Sequence, residues 1–344
     1  MKLSRNLKYT LSLLAALLLL YICFKDVEWR SFWGALRGCS WGWVVLSMLL
    51  GVVVFLLRAL RWRELLLPID PGTGRLTCYD ATCLGYVANM LFPRAGELVR
   101  CGYITNRSTR DSEGHRLASF DKVLGTVIAD RVWDIVFMVA ICALVVGGLW
   151  GRFGEFFSSL VGGGASQGRG LFLLLAAAGA VVLLAVLIIW RLRDSNPWCA
   201  KAWGAVLGIW EGLISSVRMK SWWKFLLYTF LIWVLYWLMS YCVVLALQGI
   251  SPGGPVGDEA LGLLSRLGAM DALFIMIAGT LSTVVPVPGG FGAYHYIIMM
   301  ALSSIYGIPQ EVGLLFATLA HESQAIAQLV CGGISHATET VRKN

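Results

Sequence analysis

Between Tyr9 and Phe24 the chain reads YTLSLLAALLLLYICF, a run without a charge, and segments of similar apolarity return along its 344 residues. About 20 apolar residues in helical form cross roughly 30 Å of hydrocarbon, so runs of this length make the chain a polytopic integral membrane protein. Composition agrees, with 58% hydrophobic and only 14% charged residues. Lys2, Arg5 and Lys8 before the first run imitate a signal peptide. No small-residue cleavage site follows, and the run is expected to stay as the first membrane helix.

Six segments are long enough to span: 7–24, 41–60, 123–149, 170–190, 224–248 and 311–333. Two regions are not. Residues 76–106 carry a short apolar piece interrupted by PRAGE, and residues 271–306 carry VVPVPGGFGAY between two apolar arms. Proline and glycine clusters at such places predict broken helices, and non-helical backbone at membrane depth is tolerated only beside protein or a water-filled cavity. The expected architecture is therefore an all-α membrane domain of six spans plus two re-entrant helical hairpins, 76–106 and 271–306. The competing reading takes each cluster as an ordinary loop between short tilted spans.

The distribution of the 28 Lys and Arg tests this arrangement. With both termini cytoplasmic, 19 fall in cytoplasmic segments and 6 outside, the bias that the positive-inside rule requires. The two hairpins then enter from opposite sides, an inverted arrangement that points to a transporter-type site near the midplane. The net charge of +8 belongs to cytoplasmic loops facing anionic lipid, and no nucleic acid is expected as a partner. Residues 191–223, where tryptophans alternate with basic residues, read as a cytoplasmic interfacial segment, and the glycine-rich stretch 161–170 as an outer loop. The nine cysteines show no paired ligand spacing and read as small apolar fillers.

Ionisable groups inside apolar sequence are costly, about 2.5 to 3.5 kcal/mol each at a helix centre, and so mark function by default. The first group is NMLFPRAGELVR, with Asn89, Arg94, Glu97 and Arg100 around Pro93 and Gly96. A helix after Pro93 lets Glu97 pair with Arg94 or Arg100, leaving one guanidinium and the first-turn amides, Gly96 among them, for a phosphate. The alternative is a juxtamembrane cluster that snorkels to headgroups. The second group is Asp130, Arg131 and Asp134 in the third span. Arg131 and Asp134 pair at i, i+3, and Arg94 or Arg100 is the expected partner of one aspartate; an ion-pair network that only joins helices is the competing role. The third combines the breaks at Pro286, Pro288, Gly289, Gly290 and Gly292 with His295, His321 and Glu322. These last three suit a proton relay or a headgroup contact, and their spacing along the chain matches no metal-ligand motif, so no metal and no cofactor is expected.

Taken in order, RALRW (58–62), NMLFPRAGELVR (89–100), ADRVWD (129–134) and PVPGGFGAY (286–294) resemble the transmembrane region of lysylphosphatidylglycerol synthases and the flippase-like proteins built on that region alone. The resemblance covers essentially the whole chain. It implies an inner-membrane protein that moves lipids or lipid-linked molecules between leaflets, with Asn89, Pro93, Arg94, Gly96, Glu97, Arg100, Asp130, Arg131, Asp134, Pro286, Pro288, Gly289, Gly290 and Gly292 as the implicated positions. Many relatives carry glutamate where this chain has His295, which leaves a carboxylate role there unsupported. With the chain ending at Asn344, no cytosolic aminoacyl-transferring domain and no lipid aminoacylation are expected. The expected function is a flippase or transporter of an anionic phospholipid or lipid-linked precursor, not an enzyme. Two other classes stand beside it: an intramembrane lipid-phosphate enzyme, and a non-catalytic partner of an envelope-lipid biosynthetic enzyme. Expected partners are membrane lipids, anionic ones first, with a second copy of the chain and such an enzyme as further candidates.

Overall fold

The computed structural model describes residues 5–162, 187–188, 190–194, 196–214, 216 and 218–343. The expected span 170–190 lies outside the described residues except at its last positions, and so does most of the glycine-rich stretch 161–170. Among the described residues the elements are helices and short turns, with no strand. The helices are α1 (Arg5–Phe24), α2 (Trp29–Gly38), α3 (Trp41–Leu66), α4 (Arg75–Leu91), α5 (Ala95–Arg107), α6 (Phe120–Gly162), α7 (Pro197–Ile214), α8 (Trp222–Gln248), α9 (Asp258–Ser265), α10 (Ala269–Leu281), α11 (Ala293–Tyr306) and α12 (Gln310–Lys343).

Helices α3 and α8 are long and apolar enough to cross a membrane, and two bent pairs, within α1–α2 and α9–α10, reach that length together. Their outward faces expose Leu14, Leu18, Leu49, Leu56 and Phe230, surface that suits lipid rather than water. Helix α3 runs antiparallel along α8: the Ser40 amide donates to the Ala246 carbonyl and the Ser47 hydroxyl to the Met239 carbonyl. This pair is the spine, about 39 Å long for the 26 residues of α3.

A hairpin packs at each end of the spine. In the first, α4 and α5 pack against each other so closely that a Cβ at Gly96 would run into the Gly85 carbonyl and the Asn89 side chain. Both ends of this hairpin are tied together. Asp70, buried in the turn after α3, accepts hydrogen bonds from the Gly72 amide, the Ser108 hydroxyl, and the amide and hydroxyl of Thr109. Burial would raise the Asp70 carboxyl, but these donors outweigh it and hold the group below the ordinary carboxylate range. The second hairpin is α10 and α11, and the Phe274 ring near its start meets the Tyr306 ring at its end, 6.0 Å between centroids. Each hairpin has its own apolar core. Trp62, Leu65, Cys101, Ile104, Val123 and Phe225 surround the first; Leu247, Leu264, Ile275, Ile298, Leu302 and Phe316 surround the second.

Four boundaries differ from expectation. Helix α3 runs past the expected end at 60 to Leu66. Residues 29–38, which lie between the expected spans 7–24 and 41–60, form α2, bent 88° from α1, because Phe32 and Ala35 fall on one face and pack on the second core. Helix α6 runs on from the expected end at 149 to Gly162, since glycines alone, without proline, weaken a helix but do not block it. Helix α12 continues to Lys343, and Arg107 of α5 pairs with Glu339 near its end. In the segment 191–223, α7 packs along α6, with Lys122 3.1 Å from Glu211.

Candidate functional site

The first broken helix stops at Leu91 because Pro93 cannot continue it. Helix α5 begins at Ala95, not at the proline: Pro93 precedes the N-cap, which is Arg94 in the left-handed region at φ 60°. Left-handed backbone is uncommon for a residue with a Cβ, and such strain gathers at functional sites. The side chain of Arg94 is exposed and makes no ion pair among the described residues. The Gly96 amide, expected to be free for a ligand, donates instead to the Asn89 Oδ1 at 2.7 Å. An asparagine seven residues back, before the break, reaches this amide because the hairpin folds α4 onto the start of α5.

Behind the break lies a network of charges from α3, α5 and α6, in which Arg58, Arg61, Arg100 and Asp130 are buried and Glu97, Arg131 and Asp134 partly exposed. Arg61 reaches Asp130 at 2.6 Å and Asp134 at 2.7 Å, and Arg58 reaches Asp134 at 2.7 Å. Arg58 also donates to the Tyr236 hydroxyl at 2.7 Å. Arg131 lies 3.2 Å from Glu97 and 3.6 Å from Asp134. Arg100, stacked over the Trp62 ring at 4.1 Å, stands 3.9 Å from Asp130. The contacts correct one expectation and extend another. Glu97 pairs with Arg131 rather than with Arg94 or Arg100, because α6 passes beside the start of α5. Arg100 is a partner of Asp130, as expected, but the closer partners of the two aspartates are Arg58 and Arg61 at the end of α3. Four arginines face three carboxylates here, and Asp130 and Asp134 each have two or more guanidinium groups within 4 Å.

Sequence reasoning missed Arg58 and Arg61, although their spacing held a signal. They stand three apart at the end of an apolar run, so both fall on one face of α3, continuous with the buried Val54, Phe55 and Trp62.

The second break contains two short turns, Ser282–Val284 and Pro288–Gly290, with Gly289, Gly290 and Gly292 all at positive φ. Pro286 is held at the first helix: Ser12 of α1 donates to its carbonyl. Gly292 is required by the same neighbour, since a Cβ there would meet the Ala16 carbonyl and Leu19. Gly289 lies against the Met90 backbone at the end of α4. The two breaks, 199 residues apart in sequence by these two positions, therefore touch. Next to them His295 of α11 and His321 and Glu322 of α12 converge. The His295 Nε2 is 3.2 Å from one Glu322 oxygen, the His321 Nδ1 is 3.4 Å from the other, and the His321 Nε2 is 2.9 Å from the Gly289 carbonyl.

A family model described as the lysylphosphatidylglycerol synthase TM region matches residues 9–332. Comparison with curated proteins and with solved structures returns no match.

Proposed function

The chain belongs to the lysylphosphatidylglycerol synthase transmembrane-region family, and from that premise we propose that it is a flippase or transporter that moves an anionic phospholipid or lipid-linked precursor between leaflets of the inner membrane, with both termini cytoplasmic. One observation carries the reading: a largely buried cluster with one arginine more than its carboxylates, beside a broken helix whose exposed Arg94 makes no ion pair among the described residues. A surplus guanidinium in low dielectric calls for an anion, and the planar fork of arginine matches phosphate oxygens in pairs.

In this reading Arg94 meets the headgroup phosphate at the break. Arg100 waits behind it, held only loosely by Asp130 at 3.9 Å. A phosphate that draws Arg100 away leaves Asp130 with Arg61, so no buried charge is stranded. Arg131, set between Glu97 and Asp134, permits the same exchange one turn further on. The two breaks act as opposed gates in contact at Met90 and Gly289.

The test is headgroup accessibility in proteoliposomes holding this protein alone, with labelled anionic or zwitterionic lipid in one leaflet. Wild type is expected to move anionic lipid, and Arg94→Gln to slow it about tenfold or more, the loss of one charge-assisted contact. No movement by the wild type, or a chemically altered lipid, would overturn the reading, the latter in favour of a lipid-phosphate enzyme.

A further inference from the structure

The convergence at the second break has chemistry of its own. His321 places its Nε2 2.9 Å from the Gly289 carbonyl, and a carbonyl oxygen can only accept, so that nitrogen carries the ring proton. In the neutral ring, Nδ1 is then a bare lone pair, and it faces a carboxylate oxygen of Glu322 at 3.4 Å. Two acceptors face one another there with nothing to donate between them. On the other side of the same carboxylate stands His295, 1% exposed, its Nε2 3.2 Å from the second oxygen and its Nδ1 without a hydrogen-bond partner among the described residues. One ligand atom from each of the three residues can be chosen so that all lie within 4.8 Å of one another.

We infer that His295, His321 and Glu322 form a binding site for a late first-row divalent cation, Zn²⁺ in the first instance. Two imidazoles and a carboxylate are a nitrogen–oxygen set that suits zinc, and three protein ligands leave a fourth position open. A tetrahedral ion with bonds of about 2.0–2.1 Å keeps its ligand atoms about 3.3 Å apart; here the two histidine nitrogens stand 3.2 and 3.4 Å from the two different oxygens of Glu322, so the carboxylate has only to turn to present one oxygen to both. The Gly289 carbonyl takes the part that an outer-shell acceptor plays for a metal-bound histidine: it fixes the tautomer and turns Nδ1 inward. Binding through the His295 Nε2 would leave its Nδ1–H unpaired, a cost far below what three metal–ligand bonds contribute. The ligands come from two helices, α11 and α12, joined by the turn at 307–309, which explains why their spacing in sequence matches no metal motif. A cation here would tie α11 to α12 and, through His321, hold the glycine turn at 289. The inference does not depend on lipid transport.

The experiment uses the full-length protein in nanodiscs, purified on a tag without histidine, stripped with chelator and titrated with Zn²⁺, with bound metal counted after desalting. Co²⁺ serves as a spectroscopic probe of the ligand set. Wild type is expected to take up one Zn²⁺ per chain, to show visible Co²⁺ bands of four-coordinate geometry, and to melt at a higher temperature with metal. The isosteric Glu322→Gln and the truncation His295→Ala should each weaken binding more than about tenfold and abolish the Zn²⁺-dependent rise in melting temperature. The other two histidines serve as controls, and His115→Ala and His336→Ala should leave both readouts unchanged. Failure of the folded wild type to retain stoichiometric Zn²⁺ overturns the inference, as does uptake indifferent to Glu322→Gln and His295→Ala.

Discussion

At Asp134 a single carboxylate lies 2.7 Å from both Arg58 and Arg61 and 3.6 Å from Arg131. Removing it leaves two buried guanidinium groups short of a counter-charge, and breaking such a pair from one side costs about 3–5 kcal/mol. Asp134→Asn is expected to destabilise by about 3 kcal/mol, read from thermal or chemical unfolding in detergent. The exposed Arg94→Gln should change that same measurement little. The contrast separates a residue that holds the fold from one placed to meet a ligand. Gly96 makes a third kind of residue: its Cβ has nowhere to go between the Gly85 carbonyl and Asn89, so Gly96→Ala is expected to cost about 1–3 kcal/mol.

At the scale of the element, the first hairpin depends on the knot that closes its base. Asp70 joins the turn before α4 to the residues after α5 through the donors at 72, 108 and 109. Its folded carboxyl titrates below the unfolded one, so its contribution is complete above about pH 4 and is lost as the pH falls through the folded value. Hydrogen exchange at the Thr109 amide should therefore accelerate in that acid window in the wild type. Asp70→Asn should exchange faster already at neutral pH, by the equivalent of about 1–2 kcal/mol, and show no such dependence.

At the scale of the molecule, α3 carries one hairpin base at each end. Its first residues bond to the end of α8, next to the base of the second hairpin, and its last residues lead into the Asp70 knot of the first. Helix length alone sets these ends about 39 Å apart, more than the thickness of a bilayer core. Ser112, in the exposed loop after the first hairpin, and Ser251, in the exposed loop after α8, belong to opposite ends. An impermeant maleimide is expected to label Ser112→Cys and Ser251→Cys from opposite sides of the membrane, with Ser112→Cys on the cytoplasmic side. Labelling of both from one side would refute the inverted arrangement of the hairpins.

The sequence by itself determined the solvent this protein lives in, where its helices break, and which residues are too costly to be idle. Apolar runs, prolines and glycines act locally, and a charge inside hydrocarbon is expensive whatever surrounds it, so all of this is legible along one dimension. Partnership is different. Arg58 and Arg61 lie at a helix end where a charge census puts them in a cytoplasmic loop, and only the lay of α6 beside α3 turns them inward to Asp130 and Asp134. The Gly96 amide reads as free until the folded hairpin brings Asn89 to it. His295, His321 and Glu322 share no motif because α11 and α12 hold them together, and Met90 meets Gly289 because two breaks pack at one place. Attraction between charges and ligation fall off within a few ångströms, and which residues come that close is settled by helix packing over the whole chain.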